Sequence, residues 1–76
     1  MTNQVFVLES DYIELNQLLK IEGLCSSGGE GKQLVTSGVV EVDGAIESRK
    51  TAKIRAGQRV RVGTVVIQVE SGLRPG

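Results

Sequence analysis

Hydrophobic positions in the first part of the chain change from a strand-like run to a helical period. Residues 4–8 (QVFVL) are short, apolar and partly β-branched, which predicts a first strand. A helix from about residue 11 to residue 22 is then predicted by four apolar residues at helical spacing: Tyr12, Leu15, Leu18 and Leu19. Ser10 or Asp11 would cap the start of this helix, and Gly23 would end it.

A second helix is predicted to follow a capping box. Ser27 and Glu30 have the spacing at which each side chain can satisfy the backbone amide of the other residue. The helix would continue through Val35 and stop at Gly38. Each glycine inside a helix costs roughly 1 kcal/mol relative to alanine, yet this helix contains Gly28, Gly29 and Gly31. Two interpretations stay open: close packing against the neighbouring helix, or close approach of the backbone to a ligand.

From residue 39 the hydrophobic period changes to two, which predicts strands. Asp43-Gly44 is a strong two-residue hairpin signal, with Ala45 to Ser48 as the returning strand. Further strand segments are predicted at 52–55, 59–62 and 65–69. The order predicts an α+β domain in which two short helices pack on a small, mostly antiparallel sheet of four to five strands. Residues 1–70 would form this single domain, and residues 71–76 would be a flexible tail.

Composition limits the possible functions. The chain has 76 residues, one cysteine (Cys25) and no histidine, so a disulfide framework, the usual zinc sites and His-based catalysis are all excluded. We therefore expect no metal, no cofactor and no enzymatic activity, and Cys25 to be a small buried hydrophobe. No apolar run approaches the roughly 20 residues of a membrane helix, and no signal peptide is recognisable. The cytoplasm is the expected compartment, and a monomer the expected state.

Charge is segregated along the chain although its formal net value is zero. Residues 1–31 hold one cation and five acidic residues, a formal charge of −4, whereas residues 32–76 hold eight cations and four acidic residues, a formal charge of +4. A neutral molecule with such a distribution can still present a positive face to a nucleic acid. The alternative is a chance fluctuation in a small protein. Aromatic residues are 3% of the chain, which argues against recognition of single strands by base stacking.

The helix–turn–helix followed by a Val-rich hairpin resembles a known family. The matching segments are YIELNQLLK at 12–20, GLCSS at 23–27, GKQLV at 31–35 with Gly38, VVEVDG at 39–44 and IRAGQRV at 54–60. Their order and spacing over about residues 12–62 resemble the S4 RNA-binding domain, named after a small-subunit ribosomal protein, and its αL motif. Within that family the chain is most similar to small standalone bacterial members, the YbcJ type. The resemblance implies a non-enzymatic protein that binds structured RNA, whether ribosomal, transfer or another RNA.

The resemblance and the charges indicate the same RNA-binding face. Free amides at the start of the second helix can attract a phosphate, and Lys32 lies about one turn further on. The resemblance places this helix beside the hairpin edge, which would add the cations of residues 49–55. The predicted RNA-binding residues are Ser27, Gly28, Lys32, Gln33, Arg49, Lys50, Lys53 and Arg55. Alanine is common in the family where Gly31 stands. Many members also carry arginine where Gly28 stands, so this chain has one cation fewer, and we expect its basic face to bind RNA with help from shape or only moderately tightly.

Other interpretations concern the same residues. The basic face could meet an acidic protein in a protein-interaction module. A ubiquitin-like sulfur carrier would suit the length and the terminal Gly76, but such carriers end in Gly-Gly and this chain ends RPG. Arg59 and Arg61 would either solvate the outer side of an edge strand or contribute to binding. Tyr12 is interpreted as a core or rim residue.

Overall fold

The computed structural model describes residues 2–72. Within them seven strands and two helices follow one another: β1 (Thr2–Leu8), β2 (Ile13–Glu14), α1 (Leu15–Ile21), α2 (Gly28–Thr36), β3 (Val40–Val42), β4 (Ala45–Ile46), β5 (Lys53–Ile54), β6 (Arg59–Val62) and β7 (Val65–Ser71). Five strands form one sheet in the order β1-β7-β6-β3-β4, and β2 pairs with β5 in a separate two-stranded sheet.

The larger sheet is antiparallel except at one edge, where β1 runs parallel to β7. The predicted α+β class, with two helices on a small, mostly antiparallel sheet, is therefore confirmed. The β2–β5 pair was not predicted. Strand β7 extends to Ser71, two residues beyond the predicted end, and the Gly72 N–H donates to the Leu8 carbonyl at 2.8 Å. The remainder of the predicted tail, residues 73–76, lies outside the described residues.

Alternation along the strands divides the sheet into two faces. Val60, Ile67 and Val69 point inward and are fully buried, together with the leucines of α1. The core consists of aliphatic residues, as the low aromatic content predicts: Leu8, Leu15, Leu18, Leu19, Val35, Val40, Ala52, Ile54, Val60, Ile67 and Val69. The helices cover this inner face, and the opposite face of the sheet carries exposed side chains such as Arg59 and Arg61.

The start of α1 differs from the prediction. The helix begins at Leu15, not near residue 11, and neither Ser10 nor Asp11 caps it. Ile13 and Glu14 are extended because they pair with β5. The first free amides of α1 are satisfied from a distant segment: Leu15 N–H donates to the Ala52 carbonyl at 2.9 Å, and Asn16 N–H to the Lys50 carbonyl at 3.2 Å. Residues 50–52 therefore cap α1 with their backbone.

The end of α1 and the hairpin follow the sequence signals. Gly23 has φ +80°, and the N–H of Leu24 donates to the Leu19 carbonyl at 2.9 Å, a left-handed helix end. Asp43 and Gly44 both have positive φ (51° and 86°), which is the geometry of a type I′ turn. The predicted hairpin is confirmed, although β4 ends at Ile46.

Asp43 also joins the hairpin to β6. Its Oδ1 accepts the Arg59 N–H at 3.0 Å, and its Oδ2 accepts from Gln58 Nε2 at 3.2 Å. We expect Asp43→Ala to lower the free energy of unfolding by about 1–2 kcal/mol, because it removes both acceptors and leaves a residue with a Cβ in the left-handed region. Asp43→Asn should cost less than half as much, since asparagine keeps one acceptor and tolerates this backbone. Urea denaturation measures the difference. Equal losses would show that the carboxylate bonds are not what stabilises the turn.

Candidate nucleic-acid interface

The start of α2 has the geometry of a capped helix with free amides. Ser27 Oγ accepts the Glu30 N–H at 3.2 Å, which confirms the Ser27 half of the capping box. The return bond is shifted by one residue, because Glu30 Oε2 accepts from the Ser26 N–H at 3.4 Å. Gly28 and Gly29 occupy the first two helical positions, whose N–H groups have no acceptor inside a helix. With the helix dipole they form an electropositive site suited to an oxyanion.

The glycines of α2 have different surroundings. A methyl group on Gly31 would lie 2.7 Å from the Asn16 carbonyl oxygen, so this position permits close packing of α2 on α1. On Gly28 it would lie 3.3 Å from Gln17 Nε2, and on Gly29 it would meet only Ser27 Oγ at 3.8 Å. Helix packing therefore explains Gly31. Gly29 has open space around it and leaves its backbone accessible.

Asn16 connects the two parts of the predicted interface. It is 1% exposed, its backbone contacts Gly31 closely, and its N–H donates to the Lys50 carbonyl. The start of α2 and the segment 50–52 thus meet at the first turn of α1. The Asn16 Oδ1 is buried and has no hydrogen-bond partner among residues 2–72. Asn16 was not among the predicted site residues, although a polar residue between Leu15 and Leu18 in a core-facing stretch is a signal of a buried polar group.

Strand β5 and the residue after it present two cations on one side. Ala52 and Ile54 are buried (7% and 1% exposed) whereas Lys53 and Arg55 are exposed, as the alternation predicts. Both cations lie over the ring of Tyr12: the distance to the ring centroid is 4.9 Å for Lys53 Nζ and 5.9 Å for Arg55 Cζ. Tyr12 itself is 39% exposed, a rim residue rather than a core one.

Ion pairing divides the cations of the predicted RNA-binding face into two groups. Arg49 binds Glu47 through two side-chain bonds of 3.1 Å and a backbone N–H bond of 2.9 Å. These hydrogen bonds hold the pKa of the Glu47 carboxyl below its ordinary value and raise the pKa of Arg49. The second group is exposed and makes no ion pair with any carboxylate in the described part of the chain: Lys32, Lys50, Lys53 and Arg55.

Gln33 lies on another side of α2. It follows the buried Gly31 by two residues, about 200° around the helix, so it points away from α1. It lines a shallow cleft of about 330 Å³ with Leu24, Cys25 and Glu30. Cys25 is half-buried rather than fully buried, and its Sγ donates to the Ser27 carbonyl at 3.3 Å.

Arg59 and Arg61 belong to the outer face of the sheet. The interpretation of their strand as an edge is wrong, because β6 lies between β7 and β3. Arg61 pairs with Glu41 at 2.7 Å, and Arg59 Nε donates to Gln68 Oε1 at 3.3 Å. Both line an open groove of about 960 Å³ on the face opposite the helices. The contacts with Glu41 and Gln68 give both arginines a structural role on this face of the sheet.

Residues 2–72 contain neither a candidate metal site nor a candidate membrane-spanning helix. Within that range, no group of three or more His, Cys, Asp or Glu residues could hold a metal ion. Neither described helix has the length and apolar character needed to span a membrane.

Comparison with known proteins decides the family. The sequence model of the S4 domain matches residues 6–70. The chain belongs to the S4 domain family. This S4 domain is 47% identical to YbcJ of Escherichia coli K12 over 58 residues, which are 76% of this chain and 83% of YbcJ, and the same values hold for YbcJ of Shigella flexneri.

The fold of this S4 domain is similar to that of a solved relative. The solution structure of YbcJ from Escherichia coli superposes with a TM-score of 0.65 at 40% identity, covering 92% of this chain and 87% of that one. That structure is described as revealing an αL motif involved in RNA binding. The predicted resemblance to the family and to its YbcJ type is confirmed.

Proposed function

We propose that this chain is a non-enzymatic protein that binds structured RNA on one basic face. The face consists of the start of α2 and the segment 49–55. One observation carries the proposal: Lys50, Lys53 and Arg55 have no carboxylate partner in the described chain, and their segment meets the open start of α2 at Asn16. Membership of the S4 family and the RNA-binding αL motif described for YbcJ support it.

The start of α2 is the proposed phosphate site. The Gly28 and Gly29 amides donate to phosphate oxygens, and neither residue has a side chain that would block the approach of an RNA backbone. Lys32, one turn further along α2, adds a charge beside that site. Gly28 supplies no charge of its own, so the affinity rests on helix amides and on neighbouring cations.

The segment after the hairpin supplies the remaining charge. Lys50, Lys53 and Arg55 can engage phosphates without first breaking an ion pair. The carboxylate of Glu47 neutralises part of the charge of Arg49 and occupies two of its nitrogen donors, so Arg49 contributes less. Contacts of this kind position the RNA and give affinity rather than sequence specificity. A surface of this kind suits folded RNA, which proteins recognise largely through shape and backbone contacts.

A salt series tests the proposal. Four phosphate contacts release about four counterions, so the logarithm of the association constant should fall with the logarithm of salt concentration at a slope of roughly −3 to −4. Each doubling of salt should then weaken binding about tenfold. A mobility-shift assay with a folded RNA hairpin measures it, with heparin and an acidic protein as comparison ligands. Binding that does not change with salt would contradict a phosphate-reading surface, and preference for the acidic protein would favour a protein-interaction module.

Two expectations from the sequence stay predictions. The cytoplasmic location and the monomeric state are not tested by the fold or by the family. The sulfur-carrier alternative relied on Gly76, which lies outside the described residues.

A further inference from the structure

Tyr12 brings together two cations that would otherwise repel each other. Lys53 in β5 and Arg55 just after it lie two residues apart on the same side of this extended segment, and both lie over the Tyr12 ring, at 4.9 Å and 5.9 Å. An aromatic ring attracts a cation through the negative potential of its face. Since neither cation has a carboxylate partner in the described chain, the ring is the one group shown here that fixes both of them.

The backbone holds the ring at this place. Ile13 pairs with Ile54 in the antiparallel β2–β5 sheet, so Tyr12 lies opposite Arg55 and diagonal to Lys53. The Ser10 hydroxyl donates to the Tyr12 carbonyl at 2.9 Å, which fixes the turn that enters β2. The short β2 strand, which replaces the predicted first turn of α1, therefore positions Tyr12 against the two cations.

We propose that Tyr12, Lys53 and Arg55 form one phosphate-binding unit, in which Tyr12 is a positioning residue. The proposal rests on the proposed function and deepens it. The ring orders the two long side chains before RNA binds, so less conformational entropy is lost on binding. An ammonium or guanidinium group beside a ring has several N–H donors and directs only some of them toward the ring, so the others can donate to phosphate oxygens and the two contacts are compatible.

The sign of the effect distinguishes this role from the alternative. If the ring contacts persist in the complex, their removal disorders the cations and weakens binding. If RNA has to pull the cations off the ring, removal of the ring strengthens binding. If Tyr12 is only an exposed aromatic residue with no role in binding, removal of its ring leaves the RNA affinity unchanged.

Two substitutions at Tyr12 test the proposal. Tyr12→Leu keeps the apolar bulk and removes the aromatic face, and we expect it to weaken binding of a folded RNA hairpin about three- to tenfold at fixed salt. Tyr12→Phe keeps the ring and should bind within about twofold of the native chain. Thermal unfolding of each variant checks that the fold survives.

A double-mutant cycle supplies a readout that a purely structural role would not change. Lys53→Gln should weaken binding strongly in the native background and less in the Tyr12→Leu background, because the two residues act as one unit. Lys20→Gln, on the exposed side of α1, is the control and should give the same factor in both backgrounds. NMR ring-current shifts of the Lys53 and Arg55 side chains should be retained when RNA is added.

Each outcome decides between the two proposals. If the native chain binds RNA and Tyr12→Leu binds equally well or more tightly, the phosphate-binding unit is wrong and the proposed function stands. If the effects of Tyr12→Leu and Lys53→Gln multiply independently, Tyr12 does not act through Lys53. If the native chain shows no salt-dependent RNA binding, the proposed function fails, and the unit fails with it.

Discussion

Reversing the charge at Lys50 and Lys53 together is expected to weaken RNA binding about a hundredfold at 0.1 M salt. Each lost phosphate contact costs roughly tenfold at that concentration, because its share of counterion release is lost. The two new carboxylates add repulsion of the RNA backbone. Both side chains are exposed and make no ion pair in the described chain. Lys53 lies opposite Glu14 in the β2–β5 pair and against the Tyr12 ring, so thermal unfolding of the double variant must show that the fold survives. The slope of the salt dependence should fall by about two.

The location of the charge, not its amount, should determine this loss. Lys20→Glu combined with Arg59→Glu changes the net charge by the same amount, with Lys20 on the exposed side of α1 and Arg59 on the outer face of the sheet. This control should bind within about threefold of the native chain, since neither residue belongs to the proposed face and salt screens interactions between exposed charges over a Debye length of about 10 Å. Mobility-shift titrations of both double variants compare them directly. Equal losses of RNA affinity in the two double variants would show that binding depends on overall charge, and they would contradict the proposed face.

The parts of the interface that the sequence predicts are those with local signals. The Ser27–Glu30 spacing, the Asp43-Gly44 turn and the alternation at 52–55 each depend on neighbours within a few residues, and the structure has all three. The Glu47–Arg49 ion pair could also have been predicted, because residues two apart in an extended segment lie on the same side. This ion pair was not predicted, so the difference between Arg49, which is ion-paired, and Lys50, which makes no ion pair in the described chain, was not predicted either.

Other features depend on partners distant in the chain. The carbonyls of Lys50 and Ala52 cap α1, and no local pattern at residues 11–15 reveals a cap from 34 to 37 residues away. The helical period at Tyr12 competes with pairing of Ile13 to Ile54, and the pairing prevails. The position of β6 inside the sheet depends on its pairing with β7 and also with β3, whose partner residues lie 18 to 22 positions earlier in the chain. Strand β1 joins β7 in parallel, a pairing between the two ends of the described chain. Tyr12 and Asn16 acquire their roles through these long-range contacts.

Gly31→Val is expected to lower the free energy of unfolding by about 3 kcal/mol, the largest effect on stability that we predict. The added Cβ would lie 2.7 Å from the Asn16 carbonyl oxygen and 3.2 Å from the Asn16 Cα. Backbone atoms cannot rotate away, so α1 and α2 must separate, and overpacking of this kind costs about 1–3 kcal/mol or more. In a domain this small the loss is a large fraction of total stability. Thermal unfolding should show a melting temperature lower by more than about 10 °C.

Gly29→Val is the matched control in the same helical turn. An added Cβ there meets only Ser27 Oγ at 3.8 Å, so stability should change by no more than about 0.5 kcal/mol. Equal destabilisation by the two substitutions would mean that β-branching in the first turn, and not contact with Asn16, determines the cost. Because Asn16 contacts both Gly31 and the Lys50 carbonyl, separation of the helices also moves the start of α2 away from segment 50–52. Folded Gly31→Val protein should therefore bind RNA more weakly than the native chain, although Gly31 lies outside the proposed phosphate site, which links the packing of one glycine to the assembly of the basic face. Gly29→Val is a control for stability only, because its side chain would lie at the proposed phosphate site.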